Sequence, residues 1–220
     1  VDIDSPLGET FDSGFNWVLG GGFDVETGTY YASDYGAGII YAYDSNKEKT
    51  MFASGFVGPI GIAVDEDHNV FVTNFDGNSI SKIHPQGGHS VFARNAELIN
   101  GPDGIVFAEG DLYSINFWDS RINKISSTGV VSLFTTLPGT ITGYIAYKDG
   151  FFYVASISTR QIYRINLSGE YEVIAGSGLG GEVNGPGPLA TFSSPNGIAI
   201  ADNVIYVGDA NSIRQIIIHN

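Results

Sequence analysis

The feature that most constrains this chain is a hairpin-like unit that returns about every 40 residues, the period of a repeat architecture. GGFDVETGTYYAS, GIAVDEDHNVFVT, GIVFAEGDLYSI, YIAYKDGFFYVA and GIAIADNVIYVG align with equivalent positions at Gly22, Gly61, Gly104, Tyr144 and Gly197. In each copy a short apolar run meets a polar turn and then a second apolar run, as in an antiparallel hairpin. A third run follows with alternating apolar residues, ISKI at 80–83, INKI at 122–125 and IYRI at 162–165. SVFA, VSLF and YEVI then supply a fourth. Four antiparallel strands per repeat, with no sustained helical periodicity, specify one blade of a β-propeller.

Five copies predict an all-β, single-domain, five-bladed β-propeller spanning residues 1–220. The last copy stops after its third strand, at IRQIII. The N-terminal ETFDSGF at 9–15 repeats KTMFASGF at 49–56, so it is expected to complete the last blade as its fourth strand and close the ring. The competing expectation is that the chain is part of a six-bladed propeller.

Bulk properties remove several classes of function. Ten Lys and Arg against 24 Asp and Glu leave a net charge of -14, which repels phosphate backbones, so nucleic acid is excluded as a partner. Without cysteine there is no disulfide, thiolate nucleophile or thiolate metal site. No apolar run is long enough for a membrane helix, which argues against membrane insertion. The acidic start VDIDSP reads as a mature form whose leader is gone, giving an expectation of a soluble, secreted or periplasmic monomer.

The first strand of each propeller blade lines the central channel and the others follow outward in antiparallel order, so the loops after each second strand and the connections into each first strand emerge on one face. That face gathers Asp34, Tyr35, Asn74, Phe75, Asn116, Trp118, Asp209 and Trp17, which are the candidate ligand-binding residues. Amides, carboxylates and aromatics together suit a small polar ligand, a glycan or a protein partner. The bland alternative for Asp34, Asn74, Asn116 and Asp209 is capping of the adjacent loop, as short polar side chains do in turns. The Gly- and Pro-rich connection at 177–195 overhangs the same face, as a lid or as a spacer.

Other motifs fail on context. GSGLGG at 176–181 follows a fourth strand and opens no helix, so it is not a dinucleotide loop. DEDHN at 65–69 lacks the glycine of a calcium loop and reads as a hairpin turn. His68, His84, His89 and His219 show no metal spacing, and no G-x-S-x-G is present.

P-x-G-I-A-V-D, N-V-F-V-T-N and S-I-S-K-I in residues 59–83, with SPNGIAI and VIYVGD later, resemble the NHL-repeat superfamily that includes the regucalcin and gluconolactonase family. The resemblance implies a propeller that serves as a binding scaffold, lactonase, lyase or sensor. It further implies a divalent-cation site to which PDG and PNG motifs contribute, here Asp103 and Asn196. Ca²⁺ is the cofactor such oxygen ligands suit, although Gly21, Ile60 and Gly143 at the equivalent positions supply no side-chain oxygen. Two functions follow as expectations. The preferred one is a non-catalytic NHL-like binding propeller, and the alternative is a Ca²⁺-dependent, gluconolactonase-like hydrolase.

Overall fold

The computed structural model describes residues 10–86 and 88–218 and is all-β apart from one short 3-10 turn, Gly187–Leu189. Its strands form five antiparallel sheets arranged round a common axis as a β-propeller. Blade 1 holds β1 (Val18–Asp24), β2 (Thr29–Asp34), β3 (Ile39–Tyr43) and β4 (Lys49–Ser54). Blade 2 holds β5 (Pro59–Val64), β6 (Val70–Asn74), β7 (Ser79–Ile83) and β8 (His89–Ala93). Blade 3 holds β9 (Pro102–Ala108), β10 (Asp111–Asn116), β11 (Arg121–Ile125) and β12 (Val131–Thr136). Blade 4 holds β13 (Ile145–Lys148), β14 (Phe151–Ser156), β15 (Gln161–Asn166) and β16 (Tyr171–Ala175). Blade 5 holds β17 (Pro195–Ala201), β18 (Val204–Asp209) and β19 (Ser212–Ile217).

Turn chemistry sets the hairpins. Glu109-Gly110 and Asp149-Gly150 carry paired positive φ angles of 52° and 80°, and of 50° and 82°. This left-handed pair is the turn that matches strand twist. After each second strand the loop likewise returns through one left-handed residue: Gly38, Asn78, Ser120, Arg160 or Ala210.

The core lies between sheets rather than inside one. Tyr31, Ile40 and Phe56 of blade 1 meet Ile62, Val72 and Ile83 of blade 2. Phe71 and Ile80 pack on Ile105 and Leu112 of blade 3, and Tyr113 and Ile122 pack on Phe152 and Tyr163 of blade 4. Tyr153 and Ile162 pack on Ile205 and Val207 of blade 5. Near the axis the sheets approach until backbone meets backbone. A Cβ on Gly61 would stand 2.2 Å from the Asp103 carbonyl oxygen, and one on Gly20 would stand 2.0 Å from that of Ile60. Glycine is required at both.

Two expectations need correction. The inner-strand equivalent of Gly61 in blade 1 is Gly20 rather than Gly22, because Gly20 pairs with Ser33 and the ladder is irregular between Val18 and Gly20. A run of three glycines gives no side-chain pattern by which to choose the register. The other correction concerns the closing strand. Blade 5 has three strands among the described residues, and residues 10–15 form none; Glu9 lies outside the described residues. Phe11 instead packs on Tyr43 and Phe15 on Tyr41, at centroid distances of 5.2 and 5.6 Å, while Asp12 bonds Lys49 at 2.8 Å. The aromatics of blade 1 hold this segment to the flat of that sheet, and β19 pairs only with β18.

The weight placed on inter-blade packing has a direct check. Phe152 is fully buried and touches Tyr113, Phe134 and Tyr147. Phe152→Ala is expected to lower unfolding free energy by about 3–5 kcal/mol in urea titration, whereas truncating the 44%-exposed Tyr171 should cost far less.

Candidate functional site

The loops after β2, β6 and β10 are tied to the connections that enter the inner strands. Phe75 donates its N–H to the Gly58 carbonyl, Phe117 to that of Gly101, and Tyr35 to that of Trp17. The residue ending each second strand reinforces these ties. Asp34 accepts from the backbone N–H groups of Asn16 and Ala37, and Asp209 from those of Ser193 and Ser194 and from Arg214. Asn74 donates to Ser81 and Asn116 to the Leu98 carbonyl, at 2.9 and 2.7 Å. All four side chains are buried. Their polar atoms are spent on the scaffold, with little left to face a ligand.

The aromatic candidates are placed differently. Trp17 is 65% and Trp118 52% exposed, although large apolar groups usually avoid water. Trp17 lies 5.2 Å from the Tyr35 ring, and the Tyr35 hydroxyl donates to Asp76 at 2.7 Å. Next along the chain from Asp76, Phe75 lies 6.0 Å from Trp118, and Phe117 packs on both. The result is an aromatic band that crosses blades 1, 2 and 3. Two left-handed glycines let it lie flat: a Cβ on Gly58 would strike Asp76 and Tyr35, and one on Gly101 would strike Trp118. Asp76, Asn100 and Asp119 supply polar atoms beside the rings, with Asn100 donating to Asp119 at 3.2 Å. Position alone placed Phe75, Phe117 and Trp118 on this face, whereas Asp76, Asn100 and the two glycines emerge from the packing.

Asp103 stands apart from the band. It begins the inner strand of blade 3, is 4% exposed, and offers its backbone carbonyl to the Thr73 hydroxyl of blade 2. Burial alone pushes its carboxyl up to about 7. Tyr144, whose hydroxyl donates across the axis to the Leu19 carbonyl, has its phenol pushed up by burial and then by the charge of Asp103. A cavity of about 300 Å³ on the axis is lined by inner-strand residues of all five blades, including Gly21, Gly61, Ile105, Tyr144 and Ile198.

Asp103 and Asn196, the pair that the resemblance implies for Ca²⁺, stand on the inner strands of different blades. Asn196 lies two blades away from Asp103, exposed, with its amide oxygen against Gly143 of the intervening blade. No group of three or more His, Cys, Asp or Glu fit to hold a metal occurs among the described residues. One carboxylate and one amide fall short of the six or more oxygens a hard cation takes.

The connection at 177–195 is a packed loop. Thr191 accepts the Val183 N–H, and Arg214 reaches Val183 and Asn184. His68 caps the buried Asp24 of blade 1 at 2.9 Å, and His89 lies against Phe56; His219 is outside the described residues.

With this geometry in view, the comparisons identify the architecture. No protein-family model and no curated protein matches the chain. Many solved structures do, and those described here are β-propellers. Virginiamycin B lyase from Staphylococcus aureus is 17% identical with a TM-score of 0.69, over 93% of this chain and 71% of that one. The nidogen/laminin complex gives 18% and 0.75, over 91% and 76%. An auxiliary nutrient binding protein from Bacteroides thetaiotaomicron gives 15% and 0.79, over 93% and 56%. Likeness at this identity establishes the fold, which hosts many functions.

Burial of Asp103 has a consequence for stability against pH. Its folded value lies above the unfolded 3.8, so the folded chain keeps a proton that the unfolded chain loses. Stability is therefore lost as pH rises from about 4 to about 7, by on the order of 4 kcal/mol from this group. Asp103→Asn is expected to remove that component. The difference between variant and parent in urea midpoint, measured from pH 4 to pH 8, should grow across this window in favour of the variant.

Proposed function

We propose that this chain is a non-catalytic, NHL-like propeller that binds a polar ligand with apolar faces, a glycan in the first instance, on the aromatic band of its loop-rich face. The observation that carries the reading is the exposure of Trp17 and Trp118 on rings held in place by Tyr35, Phe75 and Phe117. An aromatic face offers a flat apolar platform for the C–H side of a sugar ring, and Asp76, Asn100 and Asp119 offer its hydroxyls hydrogen-bonding partners. Asp34, Asn74, Asn116 and Asp209 act in this reading by holding the loops. A secreted or periplasmic setting suits such a ligand. Its structural neighbours include a nutrient binding protein, a protein complex and a lyase, so binding is compatible with the fold.

A hydrolase reading has one specific observation in its favour. A buried carboxyl with a value near neutrality, as at Asp103, is suited to act as a general base. A panel of lactones assayed with and without chelator separates the two. Turnover that disappears in Asp103→Asn would replace the binding reading with the catalytic one.

The chain contains two tryptophans, and both lie in the band, so intrinsic fluorescence reads the site directly. Titration with an oligosaccharide panel is expected to shift the emission of the parent. Trp118→Ala should weaken the affinity at least tenfold, the loss of about 1.4 kcal/mol. A panel that leaves the emission unchanged would reject the glycan assignment.

A further inference from the structure

The circuit of blades is uneven. Four apolar cores join blade 1 to 2, 2 to 3, 3 to 4 and 4 to 5, and among the described residues none joins blade 5 to blade 1. Gly20, Gly61 and Gly104 each press against the inner strand of the following blade, whereas their equivalent Gly197 meets nothing within 4 Å. Strand alternation puts Ile213 and Ile217 on the side of β19 opposite to Ile216, which packs inward, and they are 77% and 62% exposed. On blade 1 the same logic turns Phe23 and Met51 away from the blade 2 interface, at 56% and 63% exposure.

The edges around this opening differ from the others. Among the described residues, four sheets have four strands and the fifth has three. A groove of about 810 Å³ runs beside β19, between Ile213–Ile217 and residues 184–192, where a fourth strand of blade 5 would lie. On the other side, Phe11 and Phe15 lean on Tyr43 and Tyr41. Their counterparts Phe52 and Phe56 join the core shared with blade 2. Residues 10–15 therefore stand where the outermost strand of a blade preceding blade 1 would stand. Between β19 and that segment the pattern lacks one outermost strand and three inner ones, which is one repeat of about 40 residues.

We propose that the wedge between β17–β19 and the free face of blade 1 is a docking surface for four further strands of this same repeat. One of them lines the groove beside β19 as the fourth strand of blade 5, and the other three pack between Ile213 and Ile217 on one side and Phe23 and Met51 on the other as the inner strands of a blade whose outermost strand is residues 10–15. The occupant is fixed by continuity with the four existing interfaces, each of which is sheet on sheet.

The test appends a copy of residues 126–165, which run from the turn before one outermost strand through three further strands, after Ile218 of the full chain. Hydrogen exchange is then followed on β19 and residues 10–15, with β9–β11 as the folding control. The proposal expects the β19 amides to slow at least 100-fold and the Tm to rise by about 5 °C or more. It is overturned if the appended chain folds, by the β9–β11 control, but leaves β19 unprotected. It is equally overturned if β19 is already protected in the monomeric parent, which would mean that residues 10–15 close a five-bladed ring. Protection in the parent that appears only with dimerisation in sedimentation assigns the surface to a second copy and also rejects it. A second measurement guards against an appended chain that does not fold: Ile213→Lys with Ile217→Lys in the parent. A free surface tolerates the pair with no loss of Tm, and a fall of several degrees shows that the chain already covers it.

Discussion

Everything in this molecule depends on side chains buried between neighbouring sheets. A single four-stranded antiparallel sheet of these short strands has two faces and no interior, and most of its apolar residues alternate between the two. Each face is satisfied only by the next sheet, so Phe152 is buried because Tyr113 and Phe134 of another blade cover it. Stability is therefore distributed over interfaces rather than held in one centre, as in other repeat architectures. The glycines near the axis follow from the same demand. Sheets that splay outward must come closest at their inner strands, and at Gly20 and Gly61 even a methyl group would collide with a carbonyl oxygen.

The working face is built from that scaffold by a different kind of bond. Asp34, Asn74, Asn116 and Asp209 turn their oxygens and amides on the backbone and side chains beside their loops, so that the loops are fixed by side chains from below. The aromatic residues above them are thereby released from structural duty and can stay in water. A buried polar atom left without a partner costs roughly 1–3 kcal/mol, which explains why these acids and amides are committed inward.

The strand pattern, blade count and blade order were legible because a period of two within strands and of about 40 between repeats survives in the residues themselves. Register in blade 1 was not, since GGG carries no face. The closing strand was misread for a related reason. Similarity between ETFDSGF and KTMFASGF shows that the two segments seek the same kind of surface, and residues 10–15 do find an aromatic one on blade 1. Sequence similarity names the surface beneath a strand, whereas the edge it bonds to is set by where the neighbouring sheet stands. Of the site, Trp17, Tyr35, Phe75 and Trp118 followed from loop position. Asp76, Gly58 and Gly101 required three dimensions, because each acts across a blade boundary.

Tyr144 breaks the glycine rule, occupying the inner-strand position where Gly20, Gly61, Gly104 and Gly197 stand and sending its hydroxyl across the axis to Leu19. Where the other blades leave only a hydrogen atom facing the channel, blade 4 thus sends a side chain across it, and the inner strands of blades 1 and 4 are linked by a bond that no interface between neighbouring sheets supplies.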